Sequence, residues 1–175
     1  ILGVSGLAIN FLIGGYYGPA ALGVFNQAYA VYVLVSQIAV MGIHHSTLKY
    51  VAEHSGKSET IAPIIRSSLI LSTIFGSISA FITVLAADIF GMVFGSDQVA
   101  NAIVYASPGL LFFAINKVNF AIINGLSRMK LFAVGQAARF ILIVGFVFCA
   151  SIYGLQPELL TLSFTVCEIV LTVFL

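Results

Sequence analysis

The chain turns at GGYYGP (residues 14–19), runs through LGVFNQAYAVYVLVSQIAVMGIHH (residues 22–45) and continues into TLKYVAEH (residues 47–54). The middle run is almost wholly apolar, and it lies between a Gly/Pro turn and the first basic residue, Lys49. About two dozen such residues are enough for a helix to cross the hydrocarbon core of a bilayer. We therefore predict a membrane-spanning helix over residues 22–45 and place the other segments relative to it.

Composition sets the class of protein. Hydrophobic residues make up 61% of the chain and charged residues 7%, which leaves too little polar surface for a soluble domain of 175 residues. The net charge of +1 also argues against a nucleic-acid-binding protein, because phosphate contacts need a dense basic face. The sequence predicts an integral membrane protein.

Five further apolar segments alternate with short polar stretches. Together with residues 22–45, they give six predicted spans: residues 1–16, 22–45, 66–90, 101–126, 131–153 and 158–175. Pro108-Gly109 falls inside the fourth span and should bend it, since proline removes a backbone hydrogen bond. The predicted fold is an all-α bundle of about six transmembrane helices, a single lobe over residues 1–175 that we expect to be a fragment of a longer protein.

Basic residues indicate the orientation. The second and fourth loops hold Lys49, Lys57, Arg66, Arg128 and Lys130. The other loops hold no Lys or Arg. Because cytoplasmic loops of membrane proteins are enriched in Lys and Arg, this pattern predicts a cytoplasmic N-terminus.

Three charged residues lie inside spans. Lys117 lies roughly 16 Å from the cytoplasmic end of span four, and Arg139 roughly 14 Å from that of span five, at the helical rise per residue. Glu168 reaches a similar level from the other side. A charge at that depth costs at least ~2.5 kcal/mol and normally faces a bundle interior or an aqueous cavity. We predict that the three form one polar site.

Neutral polar residues extend this predicted site. Span four carries Asn116, Asn119 and Asn124 on its cytoplasmic half, and span two carries Gln37 on a polar face. Two cations against one carboxylate leave a positive excess that suits an anionic ligand. The candidate substrate-binding residues are Lys117, Arg139, Glu168, Asn116, Asn119, Asn124 and Gln37.

A structural role for the same charges stays open. Lys117 or Arg139 could pair with Glu168 only to hold helices together, or each cation could extend toward the inner surface. The sequence does not decide between these alternatives and a substrate site.

Several stretches carry a family resemblance: YGPAALGVFNQ (17–27), SQIA (36–39), GI (42–43), LKYVAE (48–53) and NGLSRMK (124–130). The first four resemble the first helical hairpin of bacterial polysaccharide flippases, which export O-antigen and exopolysaccharide on lipid carriers. These belong to the multidrug/oligosaccharidyl-lipid/polysaccharide exporter superfamily. The last stretch resembles the basic turn that follows their fourth helix.

The resemblance implies a function. Such proteins have two six-helix lobes and move undecaprenyl-diphosphate-linked oligosaccharides across the bacterial inner membrane for polysaccharide biosynthesis. This chain would be the first lobe, with Lys117 and Arg139 lining the central cavity. The implied partners are the lipid-linked oligosaccharide, membrane lipids, and the polysaccharide polymerase and ligase machinery.

Two other functions remain as alternatives. A multidrug/cation antiporter of the same superfamily would need an intramembrane carboxylate, for which Glu168 could serve. A membrane enzyme acting on polyprenyl sugars would need paired carboxylates or a metal cluster, and Asp88 with Asp97 is a poor pair without a supporting His or cation. We expect a transporter and not an enzyme, with no cofactor and no metal site.

The loop charges generate a topology prediction. A cysteine at Ser58 should react with a membrane-impermeant thiol reagent only from the cytoplasmic side, and one at Ser96 only from the outside. Both variants are made in a cysteine-free background and labelled in right-side-out and inverted vesicles. Reversed labelling would overturn the orientation.

Overall fold

A computed structural model describes the backbone of residues 2–56 and 58–175 and the side chains of residues 5–56 and 59–175. Ile1, in the predicted first span, and Lys57, in the predicted second loop, lie outside the described residues. The described part forms nine α-helices and one 3₁₀ turn. The helices are α1 Leu2–Tyr16, α2 Gly18–Val40, α3 Ile43–Glu53, α4 Ser58–Leu85, α5 Ala87–Phe94, α6 Asp97–Ala106, α7 Gly109–Gly125, α8 Met129–Ile152 and α9 Leu162–Phe174, and the 3₁₀ turn is Pro157–Thr161.

The helix lengths fit a membrane protein. Four segments are long and apolar enough to cross a bilayer: Gly18–Val40, Glu59–Leu85, Met129–Ile152 and Pro157–Phe174. The bent pair α6 and α7 makes a fifth, and Ser5–Tyr16 is a shorter apolar helix. Large apolar side chains stand exposed on α4, among them Phe81 and Leu85 at 66% each, as expected of a lipid-facing surface. The predicted all-α membrane bundle is confirmed.

The second helix ends earlier than the predicted limit at residue 45. Met41 and Gly42 both adopt left-handed backbone conformations, with φ of 47° and 75°. Two such residues cannot continue a right-handed helix, and glycine adopts this conformation without a Cβ clash. The chain therefore breaks after Val40 and restarts as α3, which carries the exposed pair Lys49 and Glu53 at 3.9 Å.

The predicted bend in the fourth span is confirmed. The axes of α6 and α7 differ by 43° at the break before Gly109. Pro108 has no amide hydrogen, but a hydroxyl from α9 also enters the break. Thr165 Oγ1 accepts the Gly109 amide hydrogen at 3.1 Å and lies 2.9 Å from the Tyr105 carbonyl. Gly109 and Tyr105 would bond to each other in a continuous helix, so the hydroxyl replaces that bond and stabilises the bend.

The last helix and the 3₁₀ turn before it supply a stripe of polar side chains to the bundle interior. Its members are Thr161, Thr165, Glu168 and Thr172. Their spacing of four, three and four residues places them on one helical face. Thr161 Oγ1 lies 2.7 Å from the Ala102 carbonyl of α6, and Thr172 Oγ1 lies 3.1 Å from Asn116 Oδ1 of α7. Such bonds join helices where no hydrophobic driving force operates between them.

Glycines allow close helix contacts around α7. A Cβ atom built on Gly76 of α4 would lie 3.0 Å from Leu111 Cα. One built on Gly109 would lie 3.1 Å from Thr165 Cα in α9, and one on Gly125 would lie 2.9 Å from a Val51 methyl of α3. These approaches are the small-residue packing typical of membrane helices.

The contact at Gly109 can be tested with a matched pair of substitutions. Gly109→Ala should lower the free energy of unfolding by about 1–3 kcal/mol, because the methyl group meets the backbone of α9. Gly145→Ala in α8 is the control, since a Cβ there has no atom within 4 Å. It should be neutral or slightly stabilising. The measurement is denaturant unfolding in bicelles, and equal effects at both sites would contradict the packing described.

Candidate functional site

The three intramembrane charges lie near the centres of their helices. Lys117 is the middle residue of α7, and Glu168 is the middle residue of α9. Arg139 lies close to the middle of α8. The structure brings Arg139 and Glu168 into direct contact and leaves Lys117 apart from that pair.

Arg139 and Glu168 form a buried ion pair. Arg139 Nε lies 2.9 Å from Oε1 of Glu168, and Nη2 donates a hydrogen bond to Oε2 at 3.2 Å. The Nε–H group does not point along a hydrogen bond to Oε1, so that contact is ionic in character. Arg139 is 8% exposed and Glu168 3%, which removes both charges from lipid and from bulk water.

Asn116 completes the environment of the carboxylate. Its Nδ2 donates to Oε2 of Glu168 at 2.8 Å and to the Glu168 carbonyl at 2.9 Å. The Thr172 hydroxyl lies within hydrogen-bond distance of both Asn116 Oδ1 and the Glu168 carbonyl. Helices α7, α8 and α9 therefore meet at one polar cluster, formed by Asn116, Arg139, Glu168 and Thr172. A buried pair of this kind persists only where such additional bonds satisfy the remaining polar atoms.

Two aromatic rings border the guanidinium group. Arg139 Cζ lies 5.2 Å from the ring centroids of both Phe113 and Phe120 on α7. These residues are seven apart, so they share a helical face. A guanidinium attracts the electron-rich face of an aromatic ring at this range, which adds to the stabilisation of the charge.

Lys117 has a different environment. Its side chain is half-buried, and Nζ lies 5.7 Å from the centroid of the Phe113 ring. Within residues 5–56 and 59–175 it makes no ion pair and no hydrogen bond. It is a cation at the middle of α7 that no described carboxylate neutralises by contact.

The remaining predicted residues are spread along α2 and α7. Asn119 and Asn124 are half-buried on the later turns of α7, and Gln37 is exposed near the end of α2. In the described part of the chain, none of these three bonds to the polar cluster. Only Asn116 of the predicted neutral residues joins it.

Sequence reasoning missed the threonines and the aromatic residues. Thr161, Thr165 and Thr172 recur with Glu168 at helical spacing, a signal that was available in an otherwise apolar segment. Phe113 and Phe120 gave a weaker signal, because phenylalanine at helical spacing is common in any apolar helix.

Comparison with known proteins gives a family. A family model described as polysaccharide biosynthesis protein matches residues 6–172, nearly the whole chain. The chain belongs to the polysaccharide biosynthesis protein family. This confirms the predicted resemblance to polysaccharide flippases. Searches of curated proteins and of solved structures found no match.

Membership of this family fits the helical architecture. Proteins of the polysaccharide biosynthesis family are typically transporters and not enzymes. Together with the apolar helices, the match supports a membrane protein with a role in polysaccharide transport.

The ion pair generates a stability prediction. Arg139→Met should lower the free energy of unfolding by about 3–5 kcal/mol, because it leaves the Glu168 carboxylate buried without its partner. Replacing both residues by apolar ones, Arg139→Met with Glu168→Leu, should recover most of that loss. Lys49→Met is the control, since its pair with Glu53 is exposed and should contribute less than about 1 kcal/mol. Equal losses for Arg139→Met and Lys49→Met would contradict a stabilising buried pair.

Proposed function

We propose that this chain is the first six-helix lobe of a flippase that moves undecaprenyl-diphosphate-linked oligosaccharides. The direction is from the cytoplasmic to the outer leaflet of the bacterial inner membrane, with the N-terminus in the cytoplasm. The family match supports the class of transporter. The loop charges support the orientation.

The observation that carries the substrate proposal is the unpaired Lys117. An ammonium group at the centre of a membrane helix is unfavourable by at least ~2.5 kcal/mol, and such groups normally face a partner or an aqueous cavity. Half-buried beside Phe113, Lys117 has no anionic contact among the described residues. A diphosphate is an anion that would supply the missing partner, and it is the charged part of the proposed substrate.

The structure favours a division between the two cations. Arg139 is held by Glu168, Asn116 supports that carboxylate, and the pair has no net charge. We therefore assign Arg139 and Glu168 to stabilising the lobe, and Lys117 to contact with the substrate. The sequence had grouped all three as one site.

Tyr32 adds a second group with free hydrogen-bonding capacity. Its hydroxyl is buried and has no hydrogen-bond partner among the described residues. Its ring lies 6.1 Å from that of Phe113, the ring over which Lys117 Nζ lies. Buried polar atoms without partners are rare and often belong to functional sites.

The transport step follows from solvation. A diphosphate sugar head cannot cross hydrocarbon alone, whereas a polar cleft with a cationic wall admits it while the prenyl chain stays in lipid. Rocking of two lobes would then open the cleft to the other side. The polymerase and ligase machinery would act on the delivered glycan.

The antiporter alternative receives less support. A carboxylate that binds and releases a coupling cation must be accessible, whereas Glu168 is 3% exposed and already bonded to Arg139 and Asn116. No other acidic side chain lies within a described long helix at that depth.

Lys117→Gln tests the proposal in the full-length transporter. Flipping of the lipid-linked oligosaccharide per folded molecule should fall at least about tenfold, since a charge-assisted contact of about 1.5–3 kcal/mol is lost. Lys117→Arg should retain part of the activity. Lys49→Gln is the control, because Lys49 is an exposed cation at the membrane surface. Normal flipping by Lys117→Gln would overturn the assignment.

A further inference from the structure

A second candidate site lies between α1, α2, α8 and α9. A cavity of about 110 Å³ opens there, and at about 30 Å³ per water molecule it has room for three or four waters. Its walls include Asn10, Asn26, Phe25, Tyr29, Phe140 and Phe164. None of these residues belongs to the polar cluster or to the Lys117 environment.

The two asparagines of this pocket keep free hydrogen-bonding capacity. Asn26 Nδ2 donates to Asn10 Oδ1 at 3.3 Å, and Asn10 Nδ2 donates to the Gly6 carbonyl at 2.9 Å. Asn26 Oδ1 accepts no hydrogen bond from the described residues, and both side chains are exposed. Asn26 lies about 12 Å along α2 from its start at Gly18, a depth at which amides facing lipid are unfavourable. This face therefore meets water or a polar ligand.

The other walls are aromatic. The Phe164 ring lies 5.4 Å from both the Phe25 and the Tyr29 ring centroids. Phe25 and Phe164 are 3% and 4% exposed, so they support the wall from within, and Tyr29, 44% exposed, presents its ring to the pocket. An exposed aromatic ring beside two amides is a surface that fits a pyranose. The C–H groups on one side of the sugar ring pack on the aromatic face, and its hydroxyl groups bond to amide oxygens and nitrogens.

We propose that this open pocket receives one edge of a sugar ring of the transported glycan, an inference that rests on the proposed flippase function. A lipid acyl chain has no group that can hydrogen-bond to the asparagines. A metal cation would favour carboxylate ligands, which the lining lacks. A pyranose uses both the rings and the amides.

The pocket is separated from Lys117 by packed aromatic rings. Phe164 stacks on Tyr32 at 4.9 Å, and Tyr32 contacts Phe113 at 6.1 Å, beside Lys117. Tyr32 and Phe164 are 6% and 4% exposed and belong to the hydrophobic core, so a substrate that occupied both sites would pass around these rings.

A single tryptophan reports on this pocket, because the chain contains none. Tyr29→Trp keeps an aromatic wall, and its emission is titrated with undecaprenyl-diphosphate trisaccharide or with sugarless undecaprenyl diphosphate. The titrations use the full-length transporter in lipid nanodiscs, with any tryptophan outside residues 1–175 replaced by phenylalanine. We expect the trisaccharide lipid to shift the emission and the sugarless lipid to leave it unchanged. Adding Asn26→Ala should raise the half-saturating concentration about tenfold. Asn101→Ala, an exposed asparagine on α6, is the control and should have no effect.

The same titrations separate this inference from the proposed function. Binding of sugarless lipid, followed by radiolabel, should weaken in Lys117→Gln if the diphosphate contact is right. No emission change with the trisaccharide lipid, or equal changes with both lipids, would overturn the sugar pocket while leaving that contact intact. An emission change that persists unaltered in Lys117→Gln would support the pocket and overturn the diphosphate contact. If Asn26→Ala does not fold, the difference in Tyr29→Trp emission between the two lipids is by itself the test of the sugar pocket.

Discussion

The buried pair of Arg139 and Glu168 is the interaction on which the helix bundle depends. In hydrocarbon the association of helices gains little from the hydrophobic effect, so packing and polar contacts decide which helices meet. This pair joins α8 to α9, and Asn116 extends the connection to α7. Each charge alone would be strongly unfavourable at this depth, so the carboxylate and the guanidinium stabilise the bundle only together.

The bend of the fourth span is linked to this pair through α9. The stripe that includes Glu168 also presents Thr165, whose hydroxyl occupies the break between α6 and α7. Pro108 lacks a backbone donor. At the bend the Tyr105 carbonyl and the Gly109 amide no longer bond to each other, and both still need partners in a medium without water. The hydroxyl of the neighbouring helix provides them, and Gly109 lets α9 approach closely enough to do so. The ion pair and the bend therefore depend on the same placement of α9.

The features that could be predicted from the sequence follow from short-range chemistry. Apolar run lengths predicted the all-α bundle, and Pro108-Gly109 predicted the bend. The mid-membrane depth of Lys117, Arg139 and Glu168 stays a prediction from helical rise. The sequence could not predict which cation contacts Glu168, because the rise along a helix gives the depth of a residue and not the direction in which neighbouring helices lie. The left-handed break at Met41 is also invisible in an apolar run, since methionine rarely adopts that conformation.

The two cations suit different tasks for chemical reasons. The planar guanidinium of Arg139 spreads its charge, meets both carboxylate oxygens and packs beside two rings, all of which favour a permanent contact. The ammonium of Lys117 is a compact, strongly hydrated charge on a flexible stem, so it can exchange water for phosphate and back again. A transporter needs its substrate contact to be reversible, because binding must be favourable enough to draw the headgroup in and weak enough to release it. Among the described residues Arg139 is neutralised by Glu168 and Lys117 has no anionic contact, which matches the proposed division between a structural arginine and a substrate-binding lysine.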